Sequence, residues 1–138
     1  MGAFDVLNIA GSGLNMHQTW LDSLSYNIAN VNTARSTSQS AFQAQYTMAQ
    51  SVDGAQGGAG GEGVRVTGTA LGDPTGRLVY QPDHPLADAK GYVRMPDIDL
   101  GSQMSQLIMA QRGFQAQSAV IKNAQDVYSS ALSIGRQS

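Results

Sequence analysis

The sequence predicts an elongated, mainly α-helical protein. Long N- and C-terminal helices should pair as a coiled-coil-like hairpin, with a small β-rich central element and a Gly-rich loop between them. Three observations lead there. Pro74, Pro82, Pro85 and Pro96 all lie in the middle of the chain and the glycines crowd between Gly54 and Gly76, so both ends are free of proline, the strongest helix breaker. Apolar residues recur every seven positions at each end. Charged residues make up only 13% of the 138 positions, against about 25% in an average domain, and 14 Gln, 14 Ser and 6 Asn take their place.

Residues 1–34 form the first predicted element. Leu7, Leu14, Leu21 and Ile28 hold one heptad position, and Ala10, His17, Leu24 and Val31 the position three later. Four such heptads are the length at which a coiled-coil seam is expected. His17 is its weak member. Gly11-Ser12-Gly13 is a soft spot where a bend is expected, and fraying is expected at Asn30–Thr33, where short polar side chains compete for backbone hydrogen bonds.

Residues 35–96 form the central element, with two or three strands. Phe42, Ala44, Tyr46 and Met48 alternate with Gln43, Gln45, Thr47 and Ala49. Val64–Thr67 and Arg77–Tyr80 are two more short strands, joined across Gly72–Gly76. Gly54–Gly63 is too glycine-rich to pack and should be a flexible loop.

Residues 97–138 form the last element. Leu107, Phe114, Ile121 and Tyr128 repeat every seven, flanked by Ala110, Gln117, Ala124 and Ala131, and Val120, Val127 and Ile134 widen the stripe. Asp97 or Asp99 should cap the start. A helix from about Ile98 to Ile134 would be roughly 55 Å long.

The same residues exclude several functions. A net charge of −2 with scattered basic residues gives no phosphate-binding stripe, so nucleic acid is not an expected partner. No run approaches the ~18 apolar residues of a membrane span. The first basic residue is Arg35, so no ordinary cleavable signal peptide is expected. With no cysteine there is neither a disulfide framework nor a thiol nucleophile. Gly58–Gly63 matches G-x-G-x-x-G, but lacks the preceding strand and following helix that phosphate binding needs. Asp83, His84 and Asp88 could in principle hold a metal for a small metal-dependent enzyme, although two neighbouring prolines suggest a rigid turn instead. The methionines, Met16, Met48, Met95, Met104 and Met109, are expected to pack. No catalytic residue, cofactor or metal is therefore expected. What remains is two apolar stripes too broad for one helix pair to hide, with outward faces of Gln, Ser and Asn. Such surfaces suit a subunit of a close-packed helical polymer. The seam residues expected to carry assembly are Leu7, Leu14, Leu21, Leu24, Ile28 and Val31, facing Leu107, Phe114, Ile121 and Tyr128.

Three blocks carry a resemblance. Phe4–Leu14, followed by Asn27-Ile28-Ala29-Asn30-Val31-Asn32-Thr33, resembles the N-terminal signature of the bacterial flagellar axial proteins, the rod–hook family. Tyr80–Asp97 resembles the pattern Tyr-x-Pro-x-His-Pro-x-Ala-x-x-x-Gly-Tyr-Val-x-x-Pro of its proximal-rod members, matched here by Tyr80, Pro82, His84, Pro85, Gly91, Tyr92, Val93 and Pro96. Met104–Ile134, with Arg112-Gly113-Phe114-Gln115-Ala116, resembles the family's C-terminal helix. Asp97 stands where the family usually has Asn, Gly101-Ser102-Gln103 replaces a more acidic stretch, and Gly54–Gly63 has no counterpart. The resemblance implies a structural subunit of the proximal rod, in the periplasmic span of the basal body. It implies export by the flagellar type III apparatus and polymerisation through the terminal helices into a torque-transmitting drive shaft around the export channel. Implied partners are copies of itself, other rod proteins, the surrounding ring proteins and the rod-base adaptor. Another short rod protein or the adaptor itself is the alternative within that family.

Overall fold

The computed structural model describes residues 2–53 and 61–135. In chain order the elements are α1 (Ala3–Ala29), β1 (Gln45–Asp53), β2 (Gly61–Leu71), β3 (Arg77–Tyr80), β4 (Tyr92–Met95) and α2 (Leu100–Gly135). The architecture is mixed: two long helices accompany two small sheets, one of β1 with β2 and one of β3 with β4.

Both helices form where the heptads place them, and local chemistry sets their ends. Asp5 lies in the first turn of α1 and accepts a 2.7 Å hydrogen bond from the Gly2 N–H, at the positive end of the helix dipole. The helix continues unbroken through Gly11-Ser12-Gly13 and stops at Ala29. Beyond it the Asn30 amide donates to the Tyr26 carbonyl (2.9 Å), and the Thr33 hydroxyl donates to Asn30 Oδ1 (3.0 Å). Of the two candidate caps for α2, Asp99 is the one used: its Oδ2 accepts from the Ser102 N–H at 3.1 Å. Just before the helix, Ile98 is buried in a core with Phe42 and Ala44, against which Val31 packs.

The strands depart further from expectation. β1 begins at Gln45, not Phe42. Phe42 and Ala44 lie ahead of the strand and are buried in the core, so their alternation is a packing pattern outside β1. Gly61–Gly63 of the expected loop belong to β2, while Gly54–Gly60 lie outside the described residues. Gly63 has φ +111° and passes so close to Ser12 that a Cβ would overlap its hydroxyl. β2 and β3 do not pair. The Gly72–Gly76 turn instead hands the chain from one sheet to the other, with Asp73 Oδ1 accepting from the Thr75 N–H at 2.7 Å. β3 pairs antiparallel with β4, a strand the periodicity did not predict, in the register Val79↔Val93 and Tyr80↔Tyr92. Three of the five methionines expected to pack are exposed instead: Met48, Met104 and Met109.

The chain divides into two compact units. One holds Met1–Thr19, Met48–Gly68 and Met109–Ser138; the other holds Trp20–Thr47 and Thr69–Ile108.

Candidate assembly interface

In the first unit α1 and α2 meet through small residues. Ala10 and Ala110 are buried, Ala110 completely. The ring of His17 lies over Gly113: a Cβ there would overlap the imidazole, with Nε2 at 2.6 Å and Nδ1 at 2.8 Å. Four residues earlier on α1, Gly13 faces the Gln117 amide, four residues later on α2. These opposed steps make the local pairing antiparallel, and each long polar side chain lies against a glycine that has none. Near the chain ends, Phe4 and Tyr128 meet edge to face, centroids 5.9 Å apart. Ser12 joins β2 to this face, donating to the Ile9 carbonyl (2.7 Å) and accepting from the Val64 N–H (3.0 Å). Val6, Val120, Ala124 and Val127, with Asn123, line an open apolar groove of about 370 Å³.

The second unit is organised by one amide. Asn27 has no exposed surface. Its Nδ2 donates to the Gln45 carbonyl (2.9 Å) and to Gln103 Oε1 (3.0 Å), while its Oδ1 accepts from the Gln45 N–H (2.7 Å). The carboxamide thus acts as a strand partner for the first residue of β1, and its remaining proton reaches α2. Both donors are satisfied, as burial requires, since an unpaired buried group costs about 1–3 kcal/mol. Ser23, one turn earlier, shares a 2.9 Å hydrogen bond with Thr47. Tyr26 packs on Phe42 with centroids 5.2 Å apart.

The Tyr80–Pro96 block is a hairpin stabilised by side-chain caps. Tyr80 and Tyr92 form an exposed cross-strand pair at 5.4 Å, while Val93 and Pro96 are fully buried. Gly91 (φ +81°) lies against Tyr80 and Pro82, where a Cβ would come within 2.8 Å of the Tyr80 ring. His84 Nδ1 accepts from the Leu86 N–H at 3.1 Å within its turn. Asp88 Oδ1 accepts from the Tyr92 and Lys90 N–H groups (3.0 and 2.9 Å) and Oδ2 from the Thr37 hydroxyl (3.2 Å). The Tyr92 bond is foremost in holding this carboxyl below its ordinary value; the bonds from Lys90 and Thr37 and the Lys90 charge add to it, and burial opposes it. Arg94 donates to the Thr37 carbonyl (2.9 Å) and to that of Thr75, and its backbone bridges to Arg35. Of Asp83, His84 and Asp88, the alternative metal set, His84 and Asp88 serve the turn, and among the described residues no three His, Asp or Glu side chains converge as a metal site.

The expected seam residues fall at different depths. Leu24 is buried; Leu7, Leu14, Leu21, Ile28, Val31, Leu107, Phe114 and Ile121 are half-buried; Tyr128 is exposed. Asn32 lines an open hollow with Val31, Arg77 and Asp97–Leu100. Periodicity overlooked Ser12, Gln45, Gln103 and Gly113 as contact residues. Gln103 and Gly113 are signalled only as a polar and a side-chain-free position inside an apolar stripe, and Ser12 and Gln45 carry no such signal.

Two helices bearing exposed apolar side chains in a charge-poor chain have the surfaces of an assembly subunit. The family description "Flagellar basal body rod FlgEFG protein C-terminal" matches residues 89–134. The chain is 32% identical to the "Flagellar basal-body rod protein FlgC" of Escherichia coli O6:H1 over 99% of its own length and all of that protein. It is 35% identical to that of Yersinia enterocolitica and 28% to that of Bacillus subtilis, again over 99% of this chain and all of each relative. The chain belongs to the FlgC family of flagellar basal-body rod proteins, structural subunits and not enzymes.

Proposed function

We propose that this chain builds the proximal part of the rod, within the periplasmic span of the basal body. Its terminal helices pair as a coiled-coil-like hairpin and pack against copies of the chain and against other rod proteins around the export channel. The assembled shaft transmits torque. The Tyr80–Pro96 hairpin contacts neighbouring subunits, the surrounding rings or the rod-base adaptor, and the flagellar type III apparatus delivers the chain. The observation that carries this reading is the apolar surface left on α2: Val127 and Ile134 are each 71% exposed, in a chain with too little charge to suit a solitary helix. Within the subunit, Leu21 and Ile121 are the seam positions to test. Leu21→Asp or Ile121→Asp should abolish rods in isolated basal bodies, and motility with them, while secretion of the chain continues. Normal rods and swimming in both variants would overturn the seam assignment.

A further inference from the structure

We infer that Asn27 sets the register of the helix pair: its carboxamide, bonded to Gln103 and to the Gln45 backbone, selects one of several alignments that the apolar stripes alone would accept. The stripes repeat every seven residues on both helices, so a one-heptad slip still lays leucines and isoleucines against apolar partners. The fit of His17 over Gly113 aside, which every cross-linking pair below removes, nothing in that repeat distinguishes one alignment from the next. Asn27 does. It is fully buried and Gln103 nearly so (4% exposed). Two bonds to Gln45 hold the amide on the β1 side, and the remaining N–H needs an acceptor from α2. Sliding α2 by seven residues would present Ala110 in place of Gln103 in one direction and carry the start of the helix past Asn27 in the other, so neither slip offers it a side-chain acceptor from α2. A single buried Asn is known to select coiled-coil register in this way, by penalising the alternatives. The contact between His17 and Gly113 reports the register, because a slip would bring Gln106 or Val120 to His17 instead.

This inference concerns α1 against α2 within one chain and does not depend on the proposed assembly. The absence of cysteine makes it directly testable by oxidative cross-linking of the purified full-length protein, read on the monomer band. His17→Cys with Gly113→Cys marks the observed register; His17→Cys with Gln106→Cys, or with Val120→Cys, marks the two slips. With Asn27 present, only the first pair should close. In Asn27→Leu, which fills the same space, helix content by circular dichroism should persist. The slipped pairs should then rise to at least a tenth of the native yield. Gln103→Leu, which leaves the Asn27–Gln45 bonds intact, should behave alike. The inference is overturned if a folded variant closes only the 17–113 pair, if that pair fails to close with Asn27 present, or if both variants lose their helices.

Discussion

His17 interrupts the apolar repeat of α1, and its ring rests where α2 has no side chain. Replacing a helical glycine by alanine ordinarily gains about 1 kcal/mol. At Gly113 the added methyl would collide with the imidazole, and overpacking costs about 1–3 kcal/mol. Gly113→Ala should therefore lower stability in urea denaturation, and adding His17→Ala should restore it. A stabilising Gly113→Ala would show that the ring moves aside freely. Gly76 is stricter. It has φ +58°, and a Cβ there would overlap the Met95 carbonyl, a backbone atom with nowhere to go, so Gly76→Ala should cost more than Gly113→Ala by the same measurement. At this scale the sequence is least legible. A heptad repeat says which residues line a seam, but not which residue opposes which. The repeat accordingly marks His17 as its weak member and leaves Asn27 out, although each has a partner on α2, Gly113 and Gln103.

Each element owes its position to chemistry of different range. The ends of α2 and α1 were legible because capping is local: Asp99 and Asn30 act within four residues of themselves. Asp99→Ala should cost about 1 kcal/mol, with hydrogen exchange accelerated at the Ser102 N–H that the carboxylate now holds. β4 was not legible. Four residues with Val93 and Met95 pointing inward become a strand only because β3, many residues earlier, supplies the ladder. The hairpin between them responds to acid through Asp88, whose carboxyl is held below its ordinary value near 3.8, chiefly by the Tyr92 N–H. Asp73 is depressed likewise by Thr75. A depressed folded value means the contribution is complete above the unfolded value, about 3.9, and is lost as pH falls through the lower folded one. Protection of the Tyr92 amide against exchange should fall below about pH 4, and Asp88→Asn should remove that pH dependence. A Tyr92 amide equally protected at pH 5 and pH 3 in the unaltered chain would contradict this role for Asp88.

For the whole molecule, composition carried more than position. A charge-poor chain with stripes broader than two helices can cover points to an assembly subunit whatever its fold. Val127, Leu132 and Ile134 on α2 are exposed accordingly. Val127→Lys should shift the stability of the free subunit by no more than about 0.5 kcal/mol, yet prevent its incorporation into rods. Incorporation at the normal level would remove this surface from the proposed interface. The pairing of opposite chain ends has a further effect, on time. Phe4 lies against Tyr128, and Asn27 against a glutamine 76 residues away. Contacts of such separation form slowly, because a long loop must close before they give any stabilisation. α1 is synthesised first and has no partner until α2 follows. The first helix is thus obliged to wait, and the last residues to arrive decide when folding can finish.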